Sequence, residues 1–250
     1  MNYIQTIGHT VIRLDVVDST NNYAAKLLNT TNVLNGTVIM AKNQISGRGQ
    51  KGNTWQTKEG ENLTFSIVLN NISISSSTQF LISQWVSISI VEMLSSMEIS
   101  SQIKWPNDIL VAENKLKISG ILIENSLRGQ KISSSIIGVG LNVNQEIFPL
   151  NIKATSVHNE LNEDSNLDLI LEKLMYHLNA NYLQLLHQPE KLHKRYFSML
   201  IGSKDYLNYE DDKGNFSAKI ENILPDGRLV LLDENDKKRI YMFKEVKLIL

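Results

Sequence analysis

Cysteine is absent from the 250-residue chain, which excludes disulfides, thiolate metal sites and a cysteine nucleophile. An excess of charge is absent too. With a formal net charge of -1, the chain has no general attraction for nucleic acid, so any nucleotide must be held by a local site. No apolar run reaches the roughly 20 residues of a membrane span, and the start, Met-Asn-Tyr-Ile-Gln, lacks the basic and apolar stretches of a signal peptide. A cytoplasmic protein without a membrane partner is therefore expected. What remains is an ordinary globular composition, 42% hydrophobic and 20% charged. That is material for one large domain, or for one domain and a small appendage.

The segment Gly47-Arg48-Gly49-Gln50-Lys51-Gly52-Asn53-Thr54-Trp55 does not read as a core element. Its glycines let the backbone approach a ligand, while Arg48 and Lys51 supply positive charge with no acid before Glu59. Trp55 adds a flat face. Glycines, cations and a ring together suit a phosphate or carboxylate beside a planar base. A mobile connection is the plainer reading.

The strand candidate from Thr10 to Val17 runs into Asp18-Ser19-Thr20-Asn21, a capped helix start in which Ser or Asp accepts the free N–H groups. These small polar residues either cap and turn or read a small polar ligand. Strands at 37–44 and 62–69 flank the glycine-rich loop. Apolar residues at helical spacing over 77–97 predict a helix with Trp85 in the core. In Ile103-Lys104-Trp105-Pro106-Asn107-Asp108 the proline breaks a strand and turns Asn107 and Asp108 to a common face. Hairpin turns at 112–115 and 128–130 separate strands at 117–124 and 132–144. The glycines inside the latter, Gly138 and Gly140, fit a place where another group comes close. Helices follow from Leu167 to His187 and from Pro189. Beyond Gly202, short alternating strands with turns at 211–215, 225–227 and 233–236 predict a small β-barrel, which divides the chain into 1–200 and 201–250.

Taken in order, Asp18-Ser19-Thr20-Asn21, Gln44, the Gly47–Trp55 loop, Lys104-Trp105-Pro106-Asn107-Asp108, Lys117-Ile118-Ser119-Gly120-Ile121-Leu122-Ile123-Glu124, Gly138-Val139-Gly140-Leu141-Asn142-Val143-Asn144 and Ala154-Thr155-Ser156-Val157 resemble a biotin–protein ligase. The resemblance spans nearly the whole chain. It implies an α+β fold: a catalytic domain like that of class II aminoacyl-tRNA synthetases, with a mixed, largely antiparallel sheet, and a C-terminal SH3-like barrel. It also implies ATP with Mg²⁺ as cofactors, biotin as substrate and biotinyl-5′-adenylate as intermediate. The acceptor would be a lysine of a biotin carboxyl carrier domain.

By the same resemblance, biotin falls to Ser19, Thr20, Asn21, Gln44, Arg48, Gly49, Gln50, Lys117, Gly120 and Gly138. ATP or the adenylate falls to Arg48, Trp55, Lys104, Asn107, Lys117 and Asn142. Lys117, Arg48 and Asp108 would be catalytic, Asp108 as a polar organiser of the phosphate and metal region, and the ligands of the Mg²⁺ stay open. An activated carboxylate must approach a polyanion, which suits cations at 48 and 117; Lys115 is a rival for the second place. Gln50 and Asn53 depart from the arginines that many members carry, and the turn between Asp108 and Gly120 is longer than in relatives. Alternatives are a lipoate or octanoate ligase of the same fold, a non-catalytic biotin-binding module, and a DNA-binding regulator; only eighteen residues before Ser19 argue against the last. Exposed strand edges leave monomer and homodimer both open.

Overall fold

The computed structural model describes residues 6–250, the Lys51 side chain excepted. Its centre is a seven-stranded sheet of order β1-β2-β3-β7-β6-β5-β4. The strands are β1 (Val11–Val17), β2 (Thr37–Gln44), β3 (Leu63–Asn70), β4 (Ser101–Lys104), β5 (Asp108–Val111), β6 (Lys117–Arg128) and β7 (Lys131–Leu141). β1 and β2 are parallel, whereas the other neighbours are antiparallel. The continuous burial of β3, Thr64 and Ser66 included, follows from its central place, where both faces are covered. At the edge, β1 has only half-buried and exposed residues.

Helix α1 (Thr20–Thr30) covers one face with a small cluster of Ala24, Val33, Ile39, Val68 and Ile136. The other face carries the main core, under α2 (Phe80–Ser95), α4 (Leu167–His187) and α5 (Pro189–Ser198), with the short α3 (Val157–Leu161) preceding α4. α2 is buried on almost every side, serines included, as expected of a helix wedged between a sheet and two further helices. Trp85 is fully buried there and donates its Nε1–H to the Leu178 carbonyl at 2.9 Å, so its place in the core is met. No helix among the described residues is long and apolar enough to cross a membrane.

The C-terminal strands β8 (Leu207–Asp211), β9 (Gly214–Ile223), β10 (Leu229–Asp233), β11 (Lys238–Tyr241) and β12 (Lys247–Leu248) form a five-stranded antiparallel sheet, β11-β10-β9-β8-β12. It is stitched to the rest. Leu200 bridges to Ile103, Trp105 Nε1 donates to the Gly227 carbonyl at 2.9 Å, and Phe80 packs against Phe243.

Two local expectations need correcting. Ser19 occupies the N-cap of α1 but makes no capping bond; Gln44 Oε1, arriving at the end of the neighbouring β2, accepts from Thr20 N–H at 2.8 Å instead. β7 stops at Leu141 rather than Asn144, because Asn62 Oδ1 takes the Val143 N–H and the Glu61 carbonyl takes that of Asn144.

Candidate active site

A cavity of about 500 Å³ opens between the seven-stranded sheet, the Gly47–Trp55 loop and the C-terminal sheet. At one end lie Ser19, Thr20 and Asn21, each only 3% exposed, at the first turn of α1. Their side chains form a network. Ser66 Oγ on β3 lies 2.8 Å from Thr20 Oγ1 and 2.6 Å from Asn21 Oδ1, while Gln44 Oε1 also accepts from Thr20 Oγ1 at 3.2 Å. Uncharged donors and acceptors packed this deeply are stable only when paired, and they suit a neutral polar ligand.

The strand glycines make room for the pocket walls. A Cβ on Gly138 would lie 2.5 Å from Asn21 Oδ1, and one on Gly140 would lie 2.2 Å from Trp55 Cε2. The indole of Trp55 therefore rests directly on β7. Its Nε1–H is buried and has no partner among the described residues.

At the other end the charges gather. The hairpin of β4 and β5 brings Lys104 opposite Asp108, and a bulge between Ile109 and Leu110 adjusts the register with β6. Lys117 opens β6 with its Nζ 2.6 Å from Asp108 Oδ1 and 5.4 Å from the centre of the Trp55 ring. Asn107 anchors the turn through Nδ2 to the Ile121 carbonyl at 2.6 Å. Burial pulls the Lys104 ammonium below its usual pKa; Asp108 opposes this, while Lys117, Lys247 and Lys153 add to it. Lys115 is directed elsewhere, donating to Gln102 Oε1 at 2.7 Å, and it is Lys117 that reaches the cavity.

Of the residues singled out from the sequence, Ser19, Thr20, Asn21, Gln44, Arg48, Gly49, Gln50, Trp55, Lys104, Asn107, Asp108, Lys117, Gly120 and Gly138 all line this one cavity. Asn142 does not. It is buried, and its Nδ2 donates to the carbonyls of Thr155 at 2.9 Å and Lys117 at 3.5 Å, so it ties two segments together. The absence of a neutralising acid near Arg48 is also corrected: Arg48 Nη2 lies 2.6 Å from Glu124 Oε2. Lys51, the loop's other cation, has its side chain outside the described residues.

Sequence reasoning missed the contribution of the C-terminal sheet. Tyr209, Ile220, Leu229, Lys244, Lys247 and Leu248 complete the cavity wall. Only the lysine-rich end of the chain, Lys244 and Lys247, gave any signal for them.

The architecture is shared with solved structures. A biotin protein ligase from Aquifex aeolicus, in complex with biotin and ATP, superposes with a TM-score of 0.77 at 25% identity, covering 96% of this chain and 99% of that one. Among sequence relatives, the bifunctional ligase/repressor BirA of Bacillus spizizenii is 29% identical over 245 residues, 95% of this chain and 74% of that protein. The biotin–[acetyl-CoA-carboxylase] ligase of Mycobacterium tuberculosis is 26% identical over 201 residues, 77% of this chain and 73% of its own. The model of the biotin/lipoate A/B protein ligase family matches residues 14–142, which carry β2 to β7, the second half of β1 and most of the cavity, and it is to this family that the chain belongs.

Proposed function

We propose that the chain is an ATP-dependent biotin–protein ligase that joins biotin to AMP, releasing pyrophosphate, and then passes biotin to a lysine of a biotin carboxyl carrier domain. One observation carries the reading: a single cavity joins an uncharged polar pocket at Ser19, Thr20, Asn21 and Gln44 to a cluster of lysines around one acid, Asp108. The first half suits a ureido ring, which both donates and accepts. The second suits a carboxylate meeting a triphosphate.

In this reading Arg48 and Lys117 draw the biotin carboxylate to the α-phosphorus and offset the negative charge shared between them in the transition state. Gly49, Gln50, Gly120 and Gly138 shape the acid's channel. Trp55 offers its face to the adenine, and Asn107 and Lys104 serve the nucleotide, with Lys104 beside the phosphates. Asp108 holds the Lys117 ammonium in place until the anions arrive.

Among the described residues no group of three or more His, Cys, Asp or Glu could hold a metal ion. Mg²⁺ would therefore be held here mainly by the nucleotide, with Asp108, the acid that lines the cavity, as the protein carboxylate that would hold it. When bound it supplies further positive charge against the phosphates.

The mixed anhydride stays in the cavity until a carrier lysine attacks its acyl carbon and AMP leaves. Residues 1–200 form the catalytic unit in this account, and 201–250 close its nucleotide end. Incubation with ATP, Mg²⁺ and biotin is expected to release pyrophosphate in a biotin-dependent manner, and an added carrier domain is expected to gain the biotinyl mass on its lysine. Binding of biotin without pyrophosphate release would reduce the protein to a binding module.

A further inference from the structure

The loop that carries Arg48 has bonds of its own: Gly49 N–H to the Asn53 carbonyl at 2.7 Å, Trp55 N–H to the Gly47 carbonyl at 2.9 Å, and a bridge between Arg48 and Thr54. These shape the loop from within. It meets the sheet at two places: the Trp55 indole rests on β7, and Arg48 is held from β6 by Glu124. Its Oε2 accepts from Arg48 Nη2 at 2.6 Å and from Asn21 Nδ2 at 2.7 Å. Asn21 is itself held by Ser66 Oγ on its Oδ1 at 2.6 Å.

One carboxylate oxygen thus joins a glycine-rich loop to the buried first turn of α1, yet Glu124 does not line the cavity. Asp18 also lies within the field of Arg48, but its side chain is engaged by Asn22 Nδ2 at 2.6 Å. The grip on Arg48 uses Nη2, and a guanidinium has five N–H donors in a fixed fork. Donors therefore remain for the carboxylate of a bound acid. Because the same oxygen also takes the Asn21 amide N–H, it sets which end of that amide faces Ser66.

We propose that Glu124 is a positioning residue: a latch on β6 that holds the Gly47–Trp55 loop over the cavity through Arg48, and so retains the acyl-adenylate. The proposal rests on the reading of this cavity as an acid-activating site. Glu124→Gln keeps the length and an acceptor oxygen but removes the charge that strengthens both bonds.

Hydrogen exchange without substrates tests the latch directly. In the full-length Glu124→Gln protein, the Gly49 and Trp55 amides are expected to exchange about tenfold faster, the factor that follows from losing one charge-assisted bond, while amides of α1 and β6 keep their wild-type rates. With biotin and ATP, labelled adenylate is expected to leave about tenfold faster, and the KM for biotin is expected to rise more than kcat falls. Glu124→Asp, which keeps the charge, should restore part of the retention. Unchanged loop exchange in Glu124→Gln would overturn the proposal, and so would equal acceleration in the loop, α1 and β6, which would make Glu124 merely structural. A wild-type protein that forms no adenylate would instead contradict the proposed function, and the exchange experiment would still judge the latch.

Discussion

Lys117 is held from two sides, by Asp108 at 2.6 Å and by the face of Trp55. Its side chain is 30% exposed, enough shielding for its charge to act strongly and enough access to meet an anion. Lys117→Gln keeps a donor but removes the charge, so adenylate formation is expected to fall about a hundredfold, roughly 3 kcal/mol of transition-state stabilisation. Single-turnover pyrophosphate release checks this.

Lys104 makes a prediction about pH. Burial lowers its pKa below the ordinary lysine value of 10.5, so the folded protein loses this proton at a pH where the unfolded chain still keeps it. Between those two values the unfolded state binds more protons, and this group's contribution to stability rises with pH. With Lys104 beside the phosphates, as proposed, affinity for ATP is expected to move the other way, because its charge disappears as pH rises through the lowered value. Lys104→Arg stays charged and is expected to retain ATP affinity at alkaline pH where the wild type loses it, as titration calorimetry across that range would show. At this scale the sequence was informative where a residue sits inside a dense motif, as Lys117 and Asn21 do. It did not show the burial of Asn142, whose Nδ2 donates to the carbonyls of Thr155 and Lys117, a pairing that spacing along the chain does not reveal. Ser66 had no signal at all, being one serine in an apolar strand.

The strands explain why the cavity exists. β6 and β7 run side by side with Gly120 opposite Gly140 and Leu122 opposite Gly138, so the sheet has a bare strip on which Asn21 and Trp55 lie. Neither Gly138 nor Gly140 has a positive φ, so alanine at either is free of backbone strain and acts through its Cβ alone. Gly140→Ala is expected to push the indole off the strand and weaken ATP binding about tenfold, consistent with the loss of a stacking contact, while thermal stability changes little because the displaced ring belongs to a surface loop. Calorimetry with ATP, alongside a melting curve, checks both halves. Glycine within an alternating strand was readable as a close approach, but the identity of the approaching group was not. It comes from α1 and the loop, far away in sequence. The N-terminus of α1 shows the same limit: the motif Asp18-Ser19-Thr20-Asn21 signals a helix start, whereas its actual cap, Gln44, is supplied by a strand brought alongside only in the fold.

The molecule has one main hydrophobic cluster running from β3 and α2 through Ile103 and Leu200 to Tyr209, Ile220 and Leu231. The backbone reinforces it, since Ile103 N–H donates to the Met199 carbonyl and Ile201 N–H to the Ile103 carbonyl, each at 2.9 Å. Ending the chain after residue 200 would uncover this cluster and remove Lys244, Lys247 and Tyr209 from the cavity wall. Such a fragment is expected to aggregate rather than fold, with no adenylate-forming activity in its soluble fraction; a well-folded, active fragment would contradict this. The change of character near Gly202 was legible in the turn signals, but the dependence of the two parts on each other was not, because Trp105 and Gly227 meet only in three dimensions. The central claim, that the pocket at Ser19, Thr20, Asn21 and Gln44 selects biotin for activation by the lysine cluster, is tested most directly by mass analysis. The protein is incubated with ATP, Mg²⁺ and equal concentrations of biotin and lipoate, and the acyl-adenylate bound to it is identified. The account predicts biotinyl-adenylate in large excess; a predominance of lipoyl-adenylate, or no acyl-adenylate from either acid, would contradict it.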